Sequence, residues 1–280
     1  MAAAKYGDLI IGDIIQKSLH PEITAPKLSY RGEIDSGGTN FSFDWSCLSR
    51  TIDMRQDSHA HDFDEFLIFT GTNPHDMSEF RAEVELCLGE ECEKFTITEP
   101  TVFYIPKGLM HCPLDFKKIE KPIAYWNIFF SPDYSLNVTT TPQHPGIKAA
   151  KSRYQKYVIK PSIRTITLEA NKAVTDITYL DEGAGGGLSV HWYVITEPLV
   201  IFEPPHSHDH DQFMVFMGGN AMDIREFDAE IDIWLGKEAE KHTIDGTSLV
   251  HIPRGLVHGK TDFRRVGKPV MLMRLSISPE

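Results

Sequence analysis

The chain repeats one histidine pattern at a constant interval of 147 residues. The first copy reads HAHDFDE from His59 and later PKGLMH from Pro106; the second reads HSHDHDQ from His206 and later PRGLVH from Pro253. The final histidine of the second copy follows that of the first at the same interval. A repeat of this length indicates a duplicated structural unit, and each unit carries its own candidate site.

The repeat extends well beyond the histidines. The register holds without a gap from Trp45 and Trp192 to Pro132 and Pro279, and roughly a third of the aligned positions are identical, too many for chance at one period. A chain of 280 residues is long enough for two cores. We predict one domain over residues 1–145 and a second over 150–280, joined by a short polar, proline-rich linker at 139–146.

Composition limits the classes of partner. A formal net charge of −12 argues against nucleic acid and against anionic membrane surfaces, and favours a small-molecule substrate. No apolar run approaches the ~18 residues of a membrane helix, and no secretory signal is recognisable. The four cysteines, Cys47, Cys87, Cys92 and Cys112, form no regular framework. We therefore expect reduced, buried thiols and a cytoplasmic location.

The hydrophobic pattern within each unit is that of β-strands. Alternation with a period of two predicts half-buried strands over 41–45, 82–88 and 229–235, and continuous apolar runs predict strands over 101–105 and 248–252. Pro106 and Pro253 end the last two strands because proline cannot donate to a ladder. Long amphipathic helices are not predicted. The sequence thus favours an all-β architecture, with a closed or nearly closed antiparallel barrel in each unit.

The histidine spacing indicates a metal site in each unit. Residues i and i+2 share one face of a strand, so His59 and His61 point the same way, and Glu65 has the same parity. His111 follows the Pro-x-Gly turn and can close the set. Three imidazoles and a carboxylate suit a divalent transition metal. The matching residues of the second unit are His206, His208, Gln212 and His258.

These two motifs, HxHxxxE followed by PxGxxH, resemble the conserved motifs of the cupin superfamily, and two copies in one chain resemble a bicupin. The resemblance implies two tandem double-stranded β-barrels of jelly-roll type, each with one metal inside. The chain departs from the motif at four positions. Asp53 replaces a glycine, Asp115 and Asp262 replace an asparagine, and Gln212 replaces the usual glutamate.

The substitution at Gln212 affects chemistry because an amide oxygen is a weaker ligand than a carboxylate. A centre with three histidines leaves more positions open and can accept a bidentate anionic substrate. His210 has the right parity to be an alternative ligand, a nearby base or an exposed residue. Arg274 matches Asn127 on the last strand of its unit, where it would anchor a substrate carboxylate.

These features favour a metal-dependent oxidoreductase, with a dioxygenase acting on a small chelating substrate as the leading hypothesis. Fe(II) is the favoured metal, with Mn, Ni, Cu or Zn as alternatives, and Glu65 would tune charge or act as a base. A Lewis-acid isomerase or decarboxylase of a sugar acid or keto acid is the second hypothesis. The third is a barrel that binds a small ligand without turnover. The exposed strand edges of such barrels are compatible with a homodimer.

Overall fold

The computed structural model describes residues 4–36, 38–54, 57–135, 138–140, 152–167, 173–180 and 187–277. Most of the predicted linker at 139–146 lies outside these residues. The chain divides into two compact units. We call Gln16–Pro161 the first barrel, and Met1–Ile15 together with Ser162–Glu280 the second barrel.

The described secondary structure is almost entirely β. One short helix, α1, spans Gly32–Asp35, and two 3-10 turns span Gly7–Leu9 and Gln155–Tyr157. In chain order the strands are β1 (Ile10–Ile11), β2 (Ile15–Gln16), β3 (Lys27–Arg31), β4 (Ser42–Leu48), β5 (Ile52–Asp53), β6 (Ser58–Ala60), β7 (Glu65–Gly71), β8 (Ala82–Leu88), β9 (Glu93–Ile97), β10 (Thr101–Ile105), β11 (His111–Ile119), β12 (Ile123–Phe129), β13 (Val138–Thr140), β14 (Val158–Ile159), β15 (Ser162–Thr167), β16 (Ala173–Leu180), β17 (Leu188–Ile195), β18 (Leu199–Ile201), β19 (Asp211–Gly218), β20 (Ala229–Leu235), β21 (Glu240–Ile244), β22 (Ser248–Ile252), β23 (His258–Val266) and β24 (Val270–Ile277).

Each barrel is built from two sheets. In the first barrel, seven strands follow the order β14-β10-β7-β12-β4-β3-β2, and a second sheet follows β13-β6-β11-β8-β9, with β5 beside β11. In the second barrel the corresponding orders are β1-β22-β19-β24-β17-β16-β15 and β18-β23-β20-β21. This is the arrangement of two jelly-roll barrels and confirms the all-β prediction.

The predicted strands form where the hydrophobic pattern places them. Residues 82–88, 101–105, 229–235 and 248–252 are β8, β10, β20 and β22, and the segment 41–45 falls in β4 apart from its first residue. Side chains from the two sheets of each barrel meet in one core. Phe69, Leu86 and Phe116 belong to the core of the first barrel, and Phe216, Ile233 and Leu272 to that of the second. The period of two brings every second side chain to that core.

The unit boundaries differ from the predicted domains because each barrel includes a segment from outside the predicted range. Ile10 and Ile11 in β1 pair antiparallel with Val250 and Leu249 in β22. The first fifteen residues therefore group with the second barrel rather than with residues 16–145. In the same way, β14 pairs antiparallel with β10 and extends the first barrel to Pro161.

The two added segments, which we call the arms, share one docking pattern. The arms are residues 5–11 and 153–159, at an interval of 148 residues. The Tyr6 hydroxyl donates to Glu238 at 3.2 Å, and the Tyr154 hydroxyl donates to Glu91 at 3.1 Å. Each tyrosine covers a glycine with positive φ in the adjacent hairpin turn, where a Cβ would collide with the phenol; these glycines are Gly236 and Gly89.

The prediction of four reduced thiols is wrong for one pair. Cys87 and Cys92 form a disulfide with their Cα atoms 4.7 Å apart. The hairpin between β8 and β9 brings them together, since Cys87 lies opposite Lys94 in the ladder. Cys47 and Cys112 take no part in the disulfide and are buried, as predicted. The disulfide removes the cysteine argument for a reducing compartment. Within the described residues, no helix is long and apolar enough to cross a bilayer.

Candidate metal centres

Three histidines meet inside the first barrel. His59 in β6 and His111 in β11 are direct partners in an antiparallel pairing, so their side chains emerge side by side. His61 follows one residue after β6 ends. One ring nitrogen of each histidine lies within 4.8 Å of the others, and all three side chains are buried. We call these residues, with Glu65, the first centre.

Backbone carbonyls set the orientation of the three rings. The Nδ1 atoms of His59, His61 and His111 lie 2.8, 2.6 and 3.0 Å from the carbonyl oxygens of Asp57, Ser135 and Leu109. A carbonyl only accepts, so each Nδ1 carries a proton, and Nε2 is the nitrogen left for a metal. Fixing the tautomer in this way is typical of histidines that bind a metal through the other nitrogen.

Glu65 lies at the start of β7, next to the three rings. Its Oε2 atom is 3.0 Å from His111 Nε2 and 3.8 Å from His61 Nε2. Burial opposes charge on both partners, but their mutual attraction outweighs it, lowering the pKa of Glu65 and raising the pKa of His111. The carboxylate is therefore ionised, and it can add one oxygen donor to the three imidazole nitrogens of this centre.

The second barrel brings His206, His208 and His258 together in the same way, with ligand atoms within 4.8 Å. We call these three residues the second centre. His206 and His258 exchange two backbone hydrogen bonds of 2.9 Å. Their Nδ1 atoms lie 2.8 and 3.0 Å from the carbonyls of Pro204 and Leu256. The second centre thus repeats the ring geometry of the first.

Three of these imidazoles, His59, His208 and His258, are held in the neutral form that metals require, whereas Glu65 outweighs burial and raises the pKa of His111. Burial, reinforced by neighbouring histidines, lowers the pKa of His59 to about 4. Burial lowers the pKa of His258 to about 4 as well, although its bond to Leu256 opposes the shift. Burial and then His206 lower the pKa of His208. Neutral imidazole is the ligating form, so both centres are prepared for a cation.

The remaining predicted site residues of the second barrel lie around this centre. The Gln212 amide points to Ser276 Oγ at 3.4 Å. Arg274 lies inside the barrel, with 11 % of its side chain exposed, and donates to Glu203 Oε1 at 2.5 Å. Both Arg274 and Glu203 act on the pKa of His208. His210 stacks on His208 at 4.7 Å, as Phe63 stacks on His61 in the first barrel.

Glu65 could share a face with the histidines by parity only if one strand continued from the first histidine to the acidic position, and the strand does not continue. In the first barrel β6 ends at Ala60 and β7 begins at Glu65, with a bend between them. In the second barrel His206 forms only an isolated bridge before β19 begins at Asp211. Glu65 reaches His111 because a new strand starts there, not because parity continues along one strand.

Sequence reasoning missed two aspartates and Glu203. Asp64 accepts from the Lys107 backbone at 2.7 Å and Asp211 accepts from the Arg254 backbone at 2.7 Å. These bonds hold the Pro-x-Gly turns that lead to the last histidine of each centre. Both aspartates occupy the same position of the repeated motif. This repetition could have identified them from the sequence. Glu203 lies before the motif and matches Gln56, so the repeat carries no signal for it.

The donor set fits a divalent metal. Among the described residues, the buried atoms His61 Nε2 and His258 Nε2 have no hydrogen-bond partner. His206 Nε2 and His208 Nε2 lie 3.1 Å apart, and the lone pair that His206 keeps on this nitrogen needs a cation or a proton opposite it. Imidazole nitrogens with or without a carboxylate suit Fe, Mn, Ni, Cu and Zn. Each histidine triad could hold one such ion.

Comparisons with known proteins support the fold. No protein-family profile and no curated protein sequence matches the chain. Among solved structures, AerE from Microcystis aeruginosa matches with a TM-score of 0.56 and 10% identity over 97% of this chain and all of that one. A structure of oxalate decarboxylase, described for its substrate binding mode, matches with a TM-score of 0.58 and 10% identity. The match covers 92% of this chain and 74% of that one.

A further structure, of the Bacillus subtilis oxalate decarboxylase with Mn(II) centres, matches with a TM-score of 0.57 and 12% identity over 96% of this chain and 77% of that one. These likenesses cover both repeats. The chain therefore has the cupin fold, in two tandem copies, with a histidine triad in each barrel that could hold a metal. At these identities the comparisons support the fold, and the reaction has to be argued from the site.

Proposed function

We propose that this bicupin is a metal-dependent dioxygenase that acts on a small substrate chelating through carbonyl, enol or carboxylate oxygens. The second centre carries this proposal. Three imidazoles converge there without a carboxylate ligand from Gln212, whose amide points to Ser276. A three-histidine set leaves several positions for substrate and dioxygen. His206, His208 and His258 would hold Fe(II), which supplies electron transfer between substrate and oxygen when bound.

The chain's own residues would bind and orient the substrate. Arg274 offers a buried guanidinium beside His208, and its Nε has no hydrogen-bond partner among the described residues. A planar carboxylate matches this donor fork. Glu203, now bonded to Arg274, would be displaced by that carboxylate. Glu203 would then be placed to hold or return a proton at the bound substrate.

The pairing of Glu203 with Arg274 also favours a second candidate. A Lewis-acid decarboxylase or isomerase of a sugar acid or keto acid needs a carboxylate anchor and a proton donor next to it. Arg274 would be the anchor, and Glu203, 2.5 Å from it, would return a proton to the substrate after first taking one up. In that reaction a divalent metal such as Mn or Zn would polarise the substrate, and dioxygen would not be consumed.

One experiment separates these candidates. The protein is purified without added metal, analysed for metal content, and tested with a panel of small keto, hydroxy and enol carboxylates while oxygen consumption and carbon dioxide release are measured. Turnover that stops under anaerobic conditions supports the dioxygenase. Undiminished anaerobic turnover rejects it in favour of the Lewis-acid enzyme. Substrate binding without turnover in the metal-loaded protein leaves the non-catalytic ligand-binding barrel.

The variants His61→Ala and His208→Ala, analysed in parallel, assign the metal to a centre. Loss of about one equivalent from each would show that both centres are loaded. No metal in any sample, even after reconstitution with Fe(II) or Mn(II), would reject both enzymatic proposals. The homodimer and the cytoplasmic location stay predictions, to be checked by light scattering and by localisation of the tagged full chain.

A further inference from the structure

A short segment lies directly over the first centre. We call residues 133–135, which follow β12, the cap. The carbonyl of Ser135 accepts from His61 Nδ1 at 2.6 Å. The Tyr134 hydroxyl lies 3.5 Å from His59 Nε2. The cap therefore touches two of the three histidines, one through its backbone and one through a phenol on the metal side of the ring.

The ring of Tyr134 fills the space above the histidines. It meets His61 edge-on, with centroids 4.9 Å apart, and packs against Phe129 at 5.5 Å. Phe63 stacks on the ring of His61 at 4.6 Å and lies 6.4 Å from the ring of Tyr134. Because these rings pack at ordinary contact distances, they form an apolar wall against His61 on one side of the first centre.

The cap is anchored on both sides. It leaves the sheet at Phe129, the end of β12, and the chain returns as β13, which pairs antiparallel with β6. Thr139 lies opposite His59 in this pairing. The strand β6, which carries His59, thus also pairs with the strand that follows the cap. The cap is therefore held between two strands of the barrel.

The two centres differ accordingly in access. His59, His61 and His111 are at most 3% exposed. In the second centre only His258 is buried, and His206 and His208 are partly exposed. Within the described part of the second barrel, His206 makes an isolated bridge to His258.

We propose that Tyr134 is a specificity-determining residue that closes the first centre to external ligands and leaves the second centre to receive substrate. The closure concerns ligand access at a metal and does not depend on which reaction occurs. Only the assignment of turnover to the second centre rests on the proposed function. The phenol is neutral at ordinary pH and can donate to a small ligand such as water, while its ring excludes larger or anionic ligands.

Azide binding to Co(II)-loaded protein tests the closure. Co(II) absorbs visible light and its spectrum changes when azide enters the coordination sphere. The His208→Ala protein reports on the first centre, and the His61→Ala protein reports on the second. Each is titrated with azide, with and without Tyr134→Ala. Tyr134→Phe serves as the control because it keeps the ring and its packing.

We expect the first centre to bind azide at least 10-fold more weakly than the second. Tyr134→Ala should strengthen azide binding at the first centre about 10-fold and leave azide binding at the second centre unchanged. In Tyr134→Phe the first centre should bind azide as weakly as in the parent protein. Equal azide affinity at both centres in the presence of Tyr134 would overturn the proposal. So would a first centre that Tyr134→Ala does not open, or that Tyr134→Phe opens to the same extent.

Metal content distinguishes a failure of this proposal from a failure of the proposed function. If neither variant takes up Co(II), the metal centres themselves are rejected. If both take it up and azide does not discriminate between them, only the closure is rejected. Should Tyr134→Ala not fold, as judged by circular dichroism, Tyr134→Leu replaces it, since leucine fills the core position and leaves the space above His59 open.

Discussion

The Tyr104 hydroxyl donates to Asp64 at 2.7 Å, and the other oxygen of the same carboxylate accepts from the Lys107 backbone. Asp64 thereby ties a strand to the turn that presents His111. The backbone of Gly108 donates to the carbonyl of His61 at 2.8 Å and completes the connection. In the second barrel His251 takes the place of Tyr104 beside Asp211, at 3.3 Å.

From this relationship we predict that Asp64→Ala weakens metal binding at the first centre by about 10–100-fold, the usual effect of losing a group that positions a ligand. Chelator competition in the His208→Ala background measures it. Asp211→Ala is the matched control, which should leave the first centre unaffected. An Asp64→Ala affinity equal to that of the parent protein would show that the turn holds its shape without the carboxylate.

The two centres should contribute unequally to turnover. We predict that His208→Ala abolishes activity because the second centre carries the open positions, and that His61→Ala keeps most of it. Rates of both variants are measured per equivalent of bound metal, with thermal unfolding as the check on folding. The opposite result, with activity lost only in His61→Ala, would move the reaction to the first centre.

Arg274 should determine affinity for the substrate carboxylate. Charge-assisted hydrogen bonds of this kind contribute about 1.5–3 kcal/mol, so Arg274→Gln should raise the KM roughly 10- to 100-fold. Arg274→Lys keeps the charge without the planar fork and should recover only part of the loss. Asn127→Ala, at the matched position in the first barrel, should leave KM unchanged. If Arg274→Gln changed kcat alone, the guanidinium would not anchor the ground-state substrate.

A cluster of opposite charges should make the first barrel acid-sensitive. Burial would raise the pKa of Asp44, but Arg31 at 2.7 Å and Lys27 at 3.1 Å outweigh it and lower the pKa below 3.8. Because the pKa of Asp44 is lower in the folded than in the unfolded protein, the ionised carboxylate stabilises the fold above about pH 3.8. This stabilisation is lost as the pH falls through the pKa of the folded state. Asp44→Asn should cost about 1–2 kcal/mol at pH 7.

The check is urea unfolding of both proteins between pH 7 and pH 3. The difference in unfolding free energy between the parent and Asp44→Asn should be constant at higher pH and shrink below about pH 3.8, where Asp44 becomes protonated. A difference that grew on acidification would mean that the carboxylate is destabilised, not stabilised, by its surroundings.

Reduction of the Cys87–Cys92 disulfide should have a modest effect on stability. The bond closes a loop of only a few residues, and the chain-entropy relation then gives about 2 kcal/mol. The double variant Cys87→Ser with Cys92→Ser should match the reduced protein in urea unfolding and should not respond to reductant. A reductant effect that persisted in the double variant would have to come from elsewhere in the chain.

Much of this fold follows from local pattern. The strand β8 could be predicted to the residue because alternation has a period of two and both ends are marked by turns. The interval between His59 and His111 equals that between His206 and His258. From this match the sequence alone predicted that the histidines of each triad lie close together. Repeated spacing is informative because two copies of one barrel must place their ligands at equivalent points.

Other features depend on tertiary placement that no local pattern reports. Tyr134 reaches the first centre only because the chain crosses over it after β12, and Glu203 reaches Arg274 from outside the motif. The Cys87–Cys92 pair needed the register of the β8–β9 hairpin. The strand break before Glu65 was hidden because the HxHxxxE spacing is compatible with either a continuous strand or a bend.

The arms have a consequence for how the chain originated and how it can be divided. Lys5 and Tyr6 dock on Glu238 and Glu240, and Arg153 and Tyr154 dock on Glu91 and Glu93, so each arm completes the unit formed by the other repeat. If a single-repeat ancestor made these same contacts between two copies, each copy would have docked its leading segment on the other. Gene fusion would have preserved that exchange, and neither half expressed alone would contain all the strands of its own barrel.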